Sequence, residues 1–242
     1  LLGRDEFVRA LHGARVSLFV GITAMLVAIS LGTVYGATAG TAGGRIDALM
    51  MRLVDALLSF PSFFLIITVE ALTNRFTLGL IVLIIGLLSW MGVARLVRAE
   101  VLSLRERDFV EAARALGAGS TRIVLRHLIP NALAPVVVAA TLAIGDNILV
   151  EAGLSFLGLG VQIPTPSWGN MLQDALTPAV RTAPWLVLTP GLLIVVTLLA
   201  FSLVGEGLRV AFDRSIGQTN AGIDDLPEAE PAWPTAAPSL AS

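Results

Sequence analysis

Few residues in this 242-residue chain can do covalent chemistry. There is no cysteine, which excludes a thiolate nucleophile, a disulfide frame and a cysteine zinc site. There is no lysine either: all sixteen basic residues are arginine. A Walker A phosphate loop needs its lysine, so any ATP that drives this protein must bind another polypeptide. His12 and His127 lie far apart and cannot supply a His-Glu-x-x-His zinc site. Gly153-Leu154-Ser155 lacks the second glycine of a serine-hydrolase elbow, and Glu151 and Glu206 are not placed as an acid/base pair. No catalytic or metal-ligating residue is therefore assigned, and recognition is the chemistry that remains.

The richest polar stretch runs from Arg105 to Asn131 and holds five of the arginines. Phe109, Ala112, Ala113 and Leu116 recur at i, i+3, i+4 and i+7, one face of a helix. Gly117 and Gly119 break it. Ser120 can cap a second helix through Ile123, Val124 and Leu128, with a stop expected at Pro130. The result is a short helix–turn–helix at a membrane surface whose small alanines would let another protein approach closely. Composition alone also fits a solvated, positive cytoplasmic loop.

The spacing of Glu111-Ala112-Ala113, then Gly117, then Pro130 resembles the EAA loop of ABC-importer permeases. The family pattern ends Ile-x-Leu-Pro, and here it reads His127-Leu128-Ile129-Pro130. Histidine there is similar to the dipeptide/oligopeptide/nickel branch; isoleucine for leucine is a departure. The resemblance continues through Leu2-Gly3-Arg4-Asp5, Met51-Arg52-Leu53-Val54-Asp55, Glu151-Ala152, the run Ser155 to Gly160 and Pro164-Thr165-Pro166-Ser167-Trp168-Gly169. It implies an all-α, polytopic membrane protein of the type I importer permease fold. It implies that Phe109, Glu111, Ala112, Ala113, Arg114, Leu116 and Gly117 dock on a cytoplasmic ATPase. It gives Glu151, Phe156, Leu157, Pro166 and Trp168 to the pathway and its outer gate.

The elements that must position these residues are long apolar runs. The chain is 55% hydrophobic and 14% charged, with a mean hydropathy of +0.83; an ordinary soluble domain is about 25% charged. Residues 1–15 read as an external amphipathic, interfacial segment. Spans are expected at about 16–42, 53–73, 76–100, 132–150 and 185–208. Between them lie a turn at Gly43 to Asp47, a tight connection from Thr73 to Phe76, the cytoplasmic coupling loop 103–130 and an external loop 151–184. Gly32, Gly36 and Gly40 fall on one face of the first span, as a packing seam or a flexing point. Phe60-Pro61 is a candidate kink. The Gly- and Pro-rich outer loop is an ordinary external loop or a segment over the pore mouth. Asp146 is read as near the end of its span, where it lies at the interface or lines a pathway. An ionised aspartate at bilayer centre costs roughly 2.5–3.5 kcal/mol. Residues 215–242 are an acidic, proline-rich tail, expected to be disordered and cytoplasmic.

Eleven arginines fall on one side of five such spans and five on the other, which puts the arginine-rich loop in the cytoplasm of the bacterial inner membrane. The N-terminal segment is then external with no cleavable leader legible. The resemblance explains this: the family core has six helices, and the first is expected ahead of Leu2-Gly3-Arg4-Asp5. It also implies the partners: a second homologous permease (a heterodimer), two ABC ATPases holding ATP and Mg, an external solute-binding protein and the lipid bilayer, with no nucleic acid. The solute reads as a di- or oligopeptide, with a nickel chelate or other small solute as alternative. A secondary transporter is disfavoured, because the mid-span stretches are read as holding no Asp, Glu, Arg or His and no clear internal repeat is seen.

Overall fold

The computed structural model describes residues 5–73 and 77–224. Leu2 to Arg4, the connection 74–76 and tail residues 225–242 lie outside the described residues. Among those described the fold is helical throughout, and four helices are long and apolar enough to cross a membrane.

The first helix, α1 (Glu6–Ala42), is one unbroken rod. Asp5 caps it by accepting from Phe7 N at 2.9 Å. The expected boundary at residue 15 is therefore absent. Nothing in the sequence there breaks a helix, and the amphipathic first turns run on into the span. The next crossing differs more. Instead of one span over 53–73, the structure has α2 (Gly44–Leu58) and α3 (Ser62–Thr73), separated at Ser59–Pro61. The expected turn of Gly43 to Asp47 shrinks to Gly43, with Asp47 already inside α2. Proline removes one backbone donor, and here that ends a helix rather than bending it.

The fourth helix, α4 (Leu78–Leu104), packs against α1 along most of its length. The order of contacts gives their relative direction. Gly86 meets Val27, Gly32 meets Val93, and Gly40 meets Val101, so both helices ascend together and lie parallel. Two parallel neighbours need a return between them. At about 1.5 Å per residue, the 15 and 12 residues of α2 and α3 supply roughly 40 Å. α2 starts beside the end of α1, where Tyr35 Oη donates to Met50 O at 2.9 Å. α3 ends in the opposite half, where Ile66 is buried with Val20, Ala24, Ile81 and Leu154.

At the arginine-rich end lie α5 (Asp108–Ala115) and α6 (Ser120–Ile123). A π-helical turn, Val124–Leu128, then leads without interruption into α7 (Ile129–Phe156). The second helix of the polar stretch does not stop at Pro130. Proline is tolerated in the first turn of a helix, and the π turn shifts the hydrogen-bond register just ahead of it. Ser120 is the first helical residue, and its side chain does not cap. At the far end α7 runs six residues past the expected limit of 150, so Ala152 and Glu151 belong to the helix rather than to the loop. The helix ends where Gly158 adopts φ +79°, with Leu159 N donating to Leu154 O at 2.9 Å. The loop after it carries α8 (Trp168–Met171) and two 3-10 turns, Leu172–Leu176 and Pro178–Arg181. The last helix, α9 (Trp185–Asp224), continues past the expected start of the tail at 215. Pro135 and Pro190 both sit inside unbroken helices.

Candidate functional site

The arginine-rich stretch around α5 is pinned on one side and exposed on the other. Val110 is buried in the cluster of Val97, Val101, Ile123, Leu128 and Ala132, and Ala113 packs on it. The opposite side of α5 is exposed among the described residues. Phe109 is 41% and Leu116 89% exposed, and Glu111, Ala112 and Arg114 are exposed with them. Phe109 leans toward His127, with ring centroids 6.4 Å apart. Gly117 ends the helix with φ +82°, in a region that a Cβ disfavours. Its N–H donates to Arg114 O at 2.9 Å and Ala118 N donates to Ala113 O at 3.0 Å, the paired bonds of a glycine-terminated helix. Five of the seven residues named from the sequence thus lie in α5 and the other two end it, and all but Ala113 are exposed.

The base of this knob is held electrostatically. Arg98 Nε donates to Asp47 Oδ1 at 2.5 Å and its Nη2 to Asp47 Oδ2 at 2.6 Å, a forked pair joining α4 to α2. Arg95 pairs with Asp55 one turn on. Arg105 Nη1 donates to Gly40 O at 3.2 Å, closing the end of α1. The Arg98 hydrogen bond holds the Asp47 carboxyl below its ordinary value against the opposing effect of burial.

Gly32, Gly36 and Gly40 form the seam that their spacing predicts. A Cβ on Gly32 would fall 2.6 Å from Val93 Cβ, and one on Gly40 would fall 2.8 Å from Val101 Cγ1. The sequence reading missed the rest of that row. Gly13 faces Trp168, Gly21 faces Ile148, and Gly86 of α4 faces Val27. The signal was available, since Gly13, Ser17, Gly21, Ala24 and Ala28 repeat every three or four residues ahead of Gly32.

At the other end the outer-gate residues divide. Glu151 is fully buried. Its carboxylate accepts from Ser17 Oγ at 2.9 Å and Ser155 Oγ at 2.7 Å. Ser17 Oγ in turn accepts from Trp168 N at 3.2 Å, and Ser155 Oγ accepts from Val161 N at 3.0 Å. Trp168 is buried too, donating through Nε1 to Ala10 O at 3.1 Å. Both residues tie α8 and its loop to α1 and α7. Arg9 adds an outer tie to Asp174 at 3.3 Å. Phe156 and Pro166 are half-buried and Leu157 is exposed, so those three are the ones left at the surface.

Asp146 lies deeper than its reading as a span-end residue. Its neighbour Asn147 accepts from Ser89 Oγ at 3.0 Å and donates to Gly21 O at 3.3 Å. Ser89 is six residues short of Arg95, and Phe156, the end of α7, is ten residues beyond Asp146. The helix extension past 150 is what moves the carboxylate inward.

Comparison with known proteins agrees with this architecture. The family model of the binding-protein-dependent transport system inner membrane component matches residues 32–218. The oligopeptide transport system permease protein OppC of Haemophilus influenzae is 44% identical over 211 residues, covering 87% of this chain and 67% of that protein. The dipeptide transport system permease protein DppC of Alkalihalophilus pseudofirmus is also 44% identical, covering 87% of this chain and 69% of its own length. OppC of Escherichia coli K12 is 46% identical over the same shares. Among solved structures, an inward-facing MetNI methionine ABC transporter superposes with TM-score 0.65 at 21% identity, covering 84% of this chain and 96% of that one. That likeness establishes the fold. The chain belongs to the binding-protein-dependent transport system inner-membrane components: it is a multi-pass permease subunit of an ABC importer, in the branch of the oligopeptide and dipeptide permeases.

Proposed function

We propose that this chain forms half of a peptide translocation pathway and is driven by cytoplasmic ATPases through α5. The observation that carries the reading is the divided surface of that helix. Val110 anchors one side in the bundle, while Phe109, Ala112 and Leu116 stand uncovered at the arginine-rich end. An apolar, small-faced helix held on a glycine stop is shaped to sit in a groove of another subunit. The ATPases hold ATP and Mg, since this chain has no lysine for a phosphate loop. A second, homologous permease completes the pathway, and an external binding protein delivers the solute. The names of the relatives support a di- or oligopeptide as that solute.

The mechanism is a lever. Closure of the ATPases moves α5, and α5 is rooted through Val110 in the cluster where α4 and α7 meet. Alternating access then requires that the ATP-bound ATPases favour one permease state over the other. The bare face of α5 makes Ala112→Arg the direct test. In the complex reconstituted with its partners, solute-stimulated ATP hydrolysis is expected to fall about tenfold or more, as burial of an unpaired charge at an interface implies. Membrane insertion of the variant stays normal. Wild-type stimulation in that variant would remove α5 as the docking element.

A further inference from the structure

Among the described side chains, Asp146 is an acidic group at membrane depth that the proposed lever leaves unused. Three neighbouring helices fix its level. Asn147 reaches Ser89 of α4, which lies twelve residues past Thr77 and six before Arg95. It also reaches Gly21 of α1, six residues past Arg15. Gly145 packs on Leu198 of α9, which lies thirteen residues past Trp185 and eight before Glu206. At about 1.5 Å per residue, the nearest charges along these helices are roughly 9 Å or more away. The carboxylate is exposed in this chain, on the face that also carries Leu142 and Leu149 one turn to either side. Among the described residues no hydrogen bond or ion pair reaches it.

A charged group at that depth does not face hydrocarbon; it faces water or another polar group. Asn147 does not neutralise it, and among the described residues no arginine pairs with it. We infer that Asp146 lines the translocation path and makes the contact for the cationic amine of the passing solute. The inference rests on the peptide reading, because a protonated amino terminus is the feature that peptides share whatever their side chains. One fixed carboxylate between two leucines matches such a set of solutes: a constant charge to hold, and apolar surface that is indifferent to the rest. A single contact of this kind also lets the solute leave again, as transport requires.

The absence of native cysteine makes the test clean. The full complex is reconstituted in vesicles with its permease partner, ATPases and binding protein, using a tripeptide with a free amino terminus. Asp146→Asn is expected to slow peptide transport about tenfold, the loss of one charge-assisted contact. Asp146→Glu retains most of the rate, and both variants purify as intact complexes. Asp146→Cys is expected to react with a water-soluble, cationic thiol reagent, and peptide-loaded binding protein protects it. Unchanged transport in Asp146→Asn overturns the proposal. So does loss of the permease pair in that variant, which makes Asp146 a subunit-pairing residue, or labelling by lipid-soluble maleimide alone. If the wild-type complex carries no peptide yet the labelling is water-accessible and solute-protected, the peptide reading fails while the place of Asp146 on the path stands.

Discussion

Asp47 shows how one side chain joins two helices beneath α5. It sits in the first turn of α2 and takes both oxygens to the Arg98 fork, where α4 leaves the bundle toward α5. Movement of α5 would reach the spans through this junction. The Asp47 carboxyl is held below its ordinary value of 3.8, first by the hydrogen bond from Arg98, with burial opposing. For a carboxylate whose folded value is lowered, the stabilisation is present above the unfolded value. It is lost as pH falls through the folded one. The junction is therefore intact at neutral pH and weakens below about 3.8. Asp47→Asn is expected to cost about 1–3 kcal/mol at neutral pH. It should also flatten the acid limb of thermal unfolding, measured on the detergent-solubilised chain. A variant that keeps both the wild-type stability and the wild-type acid limb would show that the pair contributes nothing.

At the scale of the helix, lipid offers no hydrophobic drive for association, so close backbone approach must supply it. The α1–α4 seam does this over its whole length, which gives a sharp contrast between glycines. A leucine at Gly36 would meet the Ala94 backbone and Val97, whereas nothing lies within 4 Å of a Cβ on Gly92. Gly36→Leu is expected to destabilise the chain by about 1–3 kcal/mol or more, the cost of overpacking. Gly92→Ala should be neutral or slightly stabilising. Equal melting temperatures for the two would remove the seam from the account. The same comparison explains what could be read in advance. The short helix α5 and the Gly32–Gly36–Gly40 row were legible because their signals are local and periodic. The end of α7 was not: Glu151 reads as a loop residue until Ser17, 134 positions away, is seen to satisfy it. The burial of Trp168 was hidden for the same reason. Its partner, the Ala10 carbonyl, is 158 residues distant, and no local pattern announces it. Pro61 was legible as a disturbance, but whether a proline bends or ends a helix depends on what packs around it.

Across the whole molecule the fold is a set of parallel and antiparallel rods with chemically different ends. One end gathers the arginine-rich knob, and the other is closed by the loop that Glu151, Trp168 and Arg9 pin in place. The arginine distribution predicts the first in the cytoplasm, and the parallel α1–α4 pair demands that α2 and α3 together make a full return. Both statements bear on one measurement. Leu116 at the knob is 89% exposed and Ile163 in the opposite loop is 79% exposed, with no native cysteine to confuse labelling. In intact cells whose outer barrier is opened, a membrane-impermeant thiol reagent should modify Ile163→Cys and spare Leu116→Cys. After the inner membrane is permeabilised, both should react. Were α2 and α3 to stay on one side, α4 would run back against α1, and Leu116 would fall on the same side as Phe7, which is 66% exposed at the start of α1. Labelling of Phe7→Cys and Leu116→Cys from the same side would thus undo the parallel seam, and labelling of Leu116→Cys from outside would undo the cytoplasmic placement of α5.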